Sequence, residues 1–386
     1  MWAVLFLGLG VPAGADPKPG DDGTPEYARA AELVRRLGDR RYAVRERAAR
    51  QLFEMGHAAV AALRTGVRAD DEEVRARSAA LVPRVTAAGW KRRADAYLAR
   101  PDGPHDLPLL ASWDKLVGGP DPPTRKLFAE MVRTNGEFLA EVAADSARAA
   151  ELAAARCEAV CDQVRSPGGQ LTAEVGDLAA VLFVDALAPG RLLWSERQPA
   201  ALVANPGLAG SLDAADLRPA VRRLLVRWIE AQPANSPTAG IRFADLARRK
   251  PFPEAVPVLG KLARDTTIRY LVLRLLAVEA LGAAGGPEAA AALAELIPDS
   301  TAMSRLGRPD RPDVPRLGDQ ALAASLILHG KRVEDYGLTG TETHFGPPVG
   351  KGHITVTVYG FVGEEARWEA VRRWEAEVAA KGGGRK

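Results

Sequence analysis

Two stretches of this chain, 30 residues apart, can be laid over one another. One is "LVRRLGDRRYAVRERAARQLF", starting at Leu33; the other is "LRTGVRADDEEVRARSAALVP", starting at Leu63. The overlay brings Leu33 onto Leu63, Leu37 onto Val67, Val44 onto Val74 and Arg45 onto Arg75. It also brings Arg47 onto Arg77, Ala49 onto Ala79 and Leu52 onto Val82. A repeat of that length constrains the fold more than any single residue does. One unit is too small to bury its own apolar face, so successive units must shelter each other's.

Each copy reads as a helix, a polar turn, and Val-Arg-x-Arg opening a second helix. In the first copy Val44, Ala48 and Leu52 fall four apart on one stripe, flanked by Ala49 and Phe53. Val74, Ser78, Leu81, Val82 and Val85 restore that stripe in the next copy. Asp39 and the run Asp70, Asp71, Glu72, Glu73 precede these helices, where carboxylates cap free N–H groups and complement the dipole. Gly56 stands where a helix end favours glycine.

The pattern returns in the last third. A helix over 254–264, a polar turn at Asp265 and an apolar helix from about Ile268 to Leu281 are expected, with Gly282 breaking the last. "GPEAAAAL" at 286–293 then matches "GHAAVAAL" at 56–63 in its glycine and leucine, and a further helix ends at Gly330. These paired helices, with Val-Arg or Ile-Arg opening the second and glycine between units, resemble the HEAT-repeat family over 31–86 and 252–298. The resemblance implies an all-α fold, a HEAT-like α-solenoid of stacked antiparallel helix pairs. The segment "EDYGL" (334–338), then Gly360-Phe361 and a helix carrying Arg367 and Trp374, is similar to a closing module of exported bacterial HEAT-like proteins.

The expected organisation is a signal peptide at 1–15, a flexible linker at 16–24 and N-terminal HEAT-like repeats at 25–88. An irregular helical middle follows at 89–250, either degenerate repeats or an insert, then C-terminal HEAT-like repeats at 251–330. A strand-containing cap with a terminal helix at 331–380 and a disordered tail at 381–386 complete it. The signal peptide rests on the apolar run Trp2 to Val11 followed by Ala13-Gly14-Ala15, a small-x-small cleavage site. It places the mature chain in the periplasm or outside the cell. The run is too short to span a bilayer.

In the middle, helices are expected at 123–134, 135–165, 172–187 and 216–232, separated by Pro/Gly-rich breaks. Period-two alternation marks one strand, Ile354, Val356 and Val358 against Thr355, Thr357 and Tyr359, with "YGLTGTETHF" as its partner. In the final helix Trp368, Val371, Trp374 and Val378 fall along one side, an apolar face to cover the open end of the array.

Reactive chemistry is hard to find. "GPPVGKGH" (346–353) has the wrong spacing and no Ser or Thr for magnesium, so it is a turn and not a phosphate loop. His344, His353 and Glu342 could approach one another across a hairpin and ligate a metal, but no motif enforces it. His57 reads as a surface residue at a helix start, and His329 as a partner for the last carbonyls of its helix. Cys157 and Cys161, four apart on one helix, suit a disulfide poorly and read as core. Ser211 in "AGSLD" reads as an N-cap, not a nucleophile.

The net charge is +3 from 52 basic and 49 acidic residues, interleaved along the chain. A protein that works by neutralising phosphates carries a larger or more clustered excess, so no nucleic acid is expected as partner. What remains is a non-catalytic scaffold that grips a protein or peptide partner on a helical-repeat surface, with no cofactor, no metal and no membrane span in the mature chain. Arg45, Arg47, Arg75 and Arg77, recurring at the repeat spacing, are the candidate interaction surface; alternatively each bonds the acidic turn of the adjacent repeat. A nucleic-acid-binding HEAT-like protein and a HEAT-like lyase or metal enzyme are the other readings.

Overall fold

A computed structural model describes residues 24–119, 121–165, 173–188, 199–203, 205–233, 236–268, 270–303, 314–345 and 354–382. The expected signal peptide, all of the linker but Thr24, the 346–353 turn with His353, and residues 383–386 lie outside the described residues. The fold is all-α with one small two-stranded sheet near the C-terminal end. The described residues divide into two compact units, those within 24–108 with 132–136, and those within 109–131 with 137–382.

The first unit opens with α1 (Pro25–Arg36) and α2 (Tyr42–Met55). A 3-10 turn at Gly56–Ala59 leads to α3 (Val60–Gly66) and then α4 (Glu72–Ala99). α4 starts 30 residues after α2, so the repeat in sequence is a repeat of helix starts. Leu33, Leu37, Ala48, Leu52, Leu63, Val74, Leu81 and Val85 meet in one apolar core. Gly56 caps α2 at φ +63°, a conformation that favours glycine. Asp71 accepts a hydrogen bond from the Val74 N–H at 2.9 Å and caps α4 as expected. Asp39 does not do the same for α2: its carboxylate takes the N–H of Arg41, the residue before the helix. Equivalent positions also differ in burial, Leu37 being fully buried and Val67 38% exposed.

The second unit begins with α5 (Leu110–Val117) and includes most of α6 (Pro122–Ala144), which kinks at Asn135. The long helix expected over 135–165 is two: α6 stops at Ala144, a 3-10 turn covers Ser146–Arg148, and α7 runs Ala149–Arg165. The break falls at Asp145-Ser146, whose side chains favour helix ends over helix interiors. α8 (Val175–Leu187) is buried on nearly every side. After α9 (Pro199–Leu202) comes α10 (Pro206–Ser211), which ends at Ser211 where a helix start was expected. The Ser211 hydroxyl donates back to the Leu208 carbonyl at 2.6 Å.

α11 (Arg218–Ala231), α12 (Pro237–Arg249), α13 (Val256–Arg264) and α14 (Leu271–Ala284) follow. α14 runs through Gly282 and ends at Gly285, φ +67°. A Cβ at Gly282 would lie 3.1 Å from that of Ala324, so this glycine serves close packing and not a break. Then come α15 (Gly286–Leu296) and α16 (Leu317–Leu328). β1 (Thr339–Phe345) and β2 (Ile354–Gly360) pair antiparallel, from Thr339 opposite Gly360 to Phe345 opposite Ile354. Ile354, Val356 and Val358 point inward, as their alternation predicts.

α17 (Glu364–Gly382) closes the unit. Tyr336, Leu338, Phe361 and Trp374 gather with Leu322 and Leu326 of α16 in one apolar cluster. The four side chains expected to share one covering face do not share a fate. Trp374 is buried, whereas Trp368 is 60% exposed and Val378 45% exposed.

Candidate functional site

Three of the four repeated arginines are engaged within the first unit. Arg45 Nη1 donates to the carbonyls of Asp39 and Arg40, at 2.8 and 3.2 Å. Arg75 Nη1 donates to those of Ala69 and Asp70, at 2.8 and 2.6 Å. The same atom thus ties down the same turn in both copies. Arg45 Nε also lies 3.2 Å from Glu73, and Arg77 spans Glu73 at 2.6 Å and Glu46 at 2.9 Å. Arg45–Glu73 and Arg77–Glu46 cross from one copy to the next, whereas Arg77–Glu73 is an i,i+4 pair within α4. The hydrogen bond from Arg77 holds the Glu73 carboxyl below its ordinary range. Arg47 differs: it is exposed, with no hydrogen bond or ion pair among the described residues.

The other candidates disperse. His344 is exposed on β1, its ring 3.0 Å from the Thr355 hydroxyl, with Glu342 exposed two residues away. No group of three or more His, Cys, Asp or Glu among the described residues could hold a metal ion. His57 is half-buried and packs its ring 6.2 Å from that of Trp90, so it is not the surface residue expected. His329 Nδ1 lies 2.8 Å from the Ser325 carbonyl at the end of α16, and its ring meets Trp374 edge-on. Cys157 is buried and Cys161 half-buried, both as thiols and not as a disulfide. A hydrogen bond with Cys161 and burial push the Cys157 thiol up, which keeps it protonated and unreactive.

The second unit holds a more distinctive feature, a groove of about 630 Å³ between α15 and α17 with α16 as its floor. One wall is Ala291, Ala294 and Ile297; the other is Trp368, Val371 and Val378. Leu322 and Ser325 lie beneath. Local sequence explains the shape. The alanines of "GPEAAAALAEL" give α15 a low surface, and positive φ at Gly285 and Gly286 turns the chain tightly into it.

Two charged clusters hold the walls in place. Arg367 of α17 donates to Asp319 of α16 from Nε at 2.8 Å and from Nη2 at 3.0 Å, both residues being buried. Burial opposes the charge on Arg367, but the hydrogen bonds from it to Asp319 and Glu364 prevail and raise its pKa. Asp319 also accepts from the Arg316 N–H, starting α16. Arg316 pairs in turn with Glu364. At the far end of α15, Arg274 of α14 is 2% exposed. Its guanidinium bonds the Ala263 carbonyl at 2.7 Å, Asp299 at 2.5 Å and Thr301 at 3.1 Å. It therefore joins the last turn of α13 to the turn after α15.

Neither Arg274 nor the groove was among the residues singled out from sequence. A signal for Arg274 did exist: one arginine inside the apolar run "LVLRLLAVEAL" must be paired if that run is buried. Trp368 could not be told from Trp374 by spacing. No helix among the described residues is long and apolar enough to cross a membrane. No protein-family model, curated protein or solved structure matches the chain.

Proposed function

We propose that this chain is a non-catalytic, HEAT-like interaction scaffold that binds a protein or peptide partner in an exported compartment. The observation that carries the proposal is the C-terminal groove: an apolar trough with a tryptophan 60% exposed on its wall. Burying a large aromatic on binding is a strong source of affinity, and such side chains are enriched where partners dock. The repeated bonds of Arg45 and Arg75 support a repeat architecture of the HEAT kind. Export rests on the N-terminal apolar run alone. With Arg45, Arg75 and Arg77 committed to turns and neighbouring carboxylates, the arginine row offers less to a partner than its spacing promised.

A photocrosslinking amino acid placed at position 368, in the full chain expressed in its own cells, tests the proposal. The same probe at Arg47 is the comparison. A discrete protein adduct from position 368 is expected. Adducts from neither position, with the protein folded and abundant, contradict the scaffold reading.

A further inference from the structure

The charges around the groove do not cancel. Arg316 and Arg367 are engaged by Glu364 and Asp319, and Asp299 by Arg274. What remains is mostly acidic. Glu375 lines the groove, Glu365 lies one turn before Trp368, and Glu288 lies one turn before Ala291 on the opposite wall. All three are exposed and none has an ion pair among the described residues. Arg372, also exposed and without an ion pair among the described residues, is a cation set against them. Among the described residues, Glu375 on the trough, with Glu288 and Glu365 one turn from its walls, outnumbers Arg372 and leaves this edge negative.

The shape favours one kind of occupant. Residues Trp368 to Ala379 of α17 border the trough. At 1.5 Å per residue they extend about 16 Å, or three turns of helix. The facing wall of Ala290, Ala291 and Ala294 is low enough for another helix to approach at the short end of the usual 8–10 Å separation. On the floor, the Ser325 hydroxyl is buried and has no hydrogen-bond partner among the described residues.

We infer that the groove binds an amphipathic α-helix of about three turns whose apolar face is flanked by Lys or Arg. The inference rests on the reading of this trough as a binding surface and adds the class of ligand. The helix places apolar side chains at i, i+3, i+4 and i+7 between Trp368 and the alanine wall, the usual mode by which grooves take helices. Its cations stand over Glu288, Glu365 and Glu375. A fatty acid or acidic helix meets the same carboxylates with like charge and is excluded.

Anisotropy of fluorescein-labelled 16-residue peptides titrated with the full chain tests this. Three probes share one apolar pattern: one with Lys flanks, one with Glu flanks, and one with Lys flanks and a central proline. The Lys-flanked helix is expected to bind at least about tenfold tighter than either other at low salt, with the charge preference shrinking in 0.5 M salt. Glu365→Lys with Glu375→Lys should erase the charge preference, and Trp368→Ser should abolish binding. All of these side chains are exposed, so circular dichroism should not change. Equal binding of the three probes, abolished by Trp368→Ser, overturns the inference while the groove remains a binding surface. Binding of none, or binding indifferent to Trp368→Ser, removes the groove reading itself. Displacement of the peptide by a neutral twelve-carbon alcohol at micromolar concentration would reassign the trough to small apolar molecules and also overturn the inference.

Discussion

Arg367 and Asp319, 48 residues apart in sequence, form a buried two-point ion pair at 2.8 and 3.0 Å between α17 and α16. The pair fixes how the terminal helix lies and therefore how wide the groove stands. Arg367→Met leaves a buried carboxylate without its main partner, which costs about 3–5 kcal/mol. Urea unfolding should show that loss, and adding Asp319→Leu should recover part of it. A single variant as stable as the parent would mean that the pair does not anchor α17.

The two tryptophans of α17 should behave oppositely. Trp374 is 5% exposed and packed among Tyr336, Phe361 and Leu326, so Trp374→Ala should cost about 3–5 kcal/mol. Trp368, 60% exposed, should give a change within about 0.5 kcal/mol when replaced by Ser. Paired thermal melts check both, and similar losses would contradict the placement of α17.

In the first unit, Leu52→Ala should remove about 2–5 kcal/mol, because Leu52 is fully buried among Leu33, Leu63 and Leu81. Arg47→Ala should be nearly neutral, since Arg47 holds no partner among the described residues. The contrast is read from denaturant midpoints. An unmoved midpoint for Leu52→Ala would refute the shared stripe.

Glu279 supplies a pH dependence. It sits on α14 facing Asp245 and Arg248 of α12, and accepts the Thr357 N–H of β2 at 3.3 Å. Burial lifts its pKa from 4.5 to about 7, the nearby Arg248 and the Thr357 bond offsetting only part of the lift. An acid with a raised folded-state pKa stabilises the fold below its unfolded value and loses that contribution as pH rises through the folded value. Stability should therefore fall by about 2–3 kcal/mol between pH 4.5 and 8 from this group. Glu279→Gln should flatten that slope, as followed by urea midpoints at several pH values. An unchanged slope would assign it to other groups.

Local signals predicted local outcomes well. The repeat of Val44-Arg45 and Val74-Arg75 became two helix starts 30 residues apart, Asp71 became a cap, and alternating Ile354, Val356 and Val358 became the inner face of a strand. Failures came where a distant neighbour decides. Gly282 ends no helix because Ala324 packs against it, and Trp368 stays exposed because α16 receives Trp374 instead. The groove needs α15, α16 and α17 together, and no pattern within one helix can announce a space between three. The arginine row was legible as a spacing, and the alternative that an arginine bonds the acidic turn of the adjacent repeat describes Arg45 against Glu73, whereas Arg77 against Glu46 depends on how the copies stack.

Hydrogen exchange on the full chain, with and without the Lys-flanked peptide, shows which surface the helix covers. Slowed exchange is expected to be confined to 286–297 and 364–382, the two walls of the groove. Protection over α2 and α4 instead, or at neither place with the peptide bound, would contradict this placement of the helix.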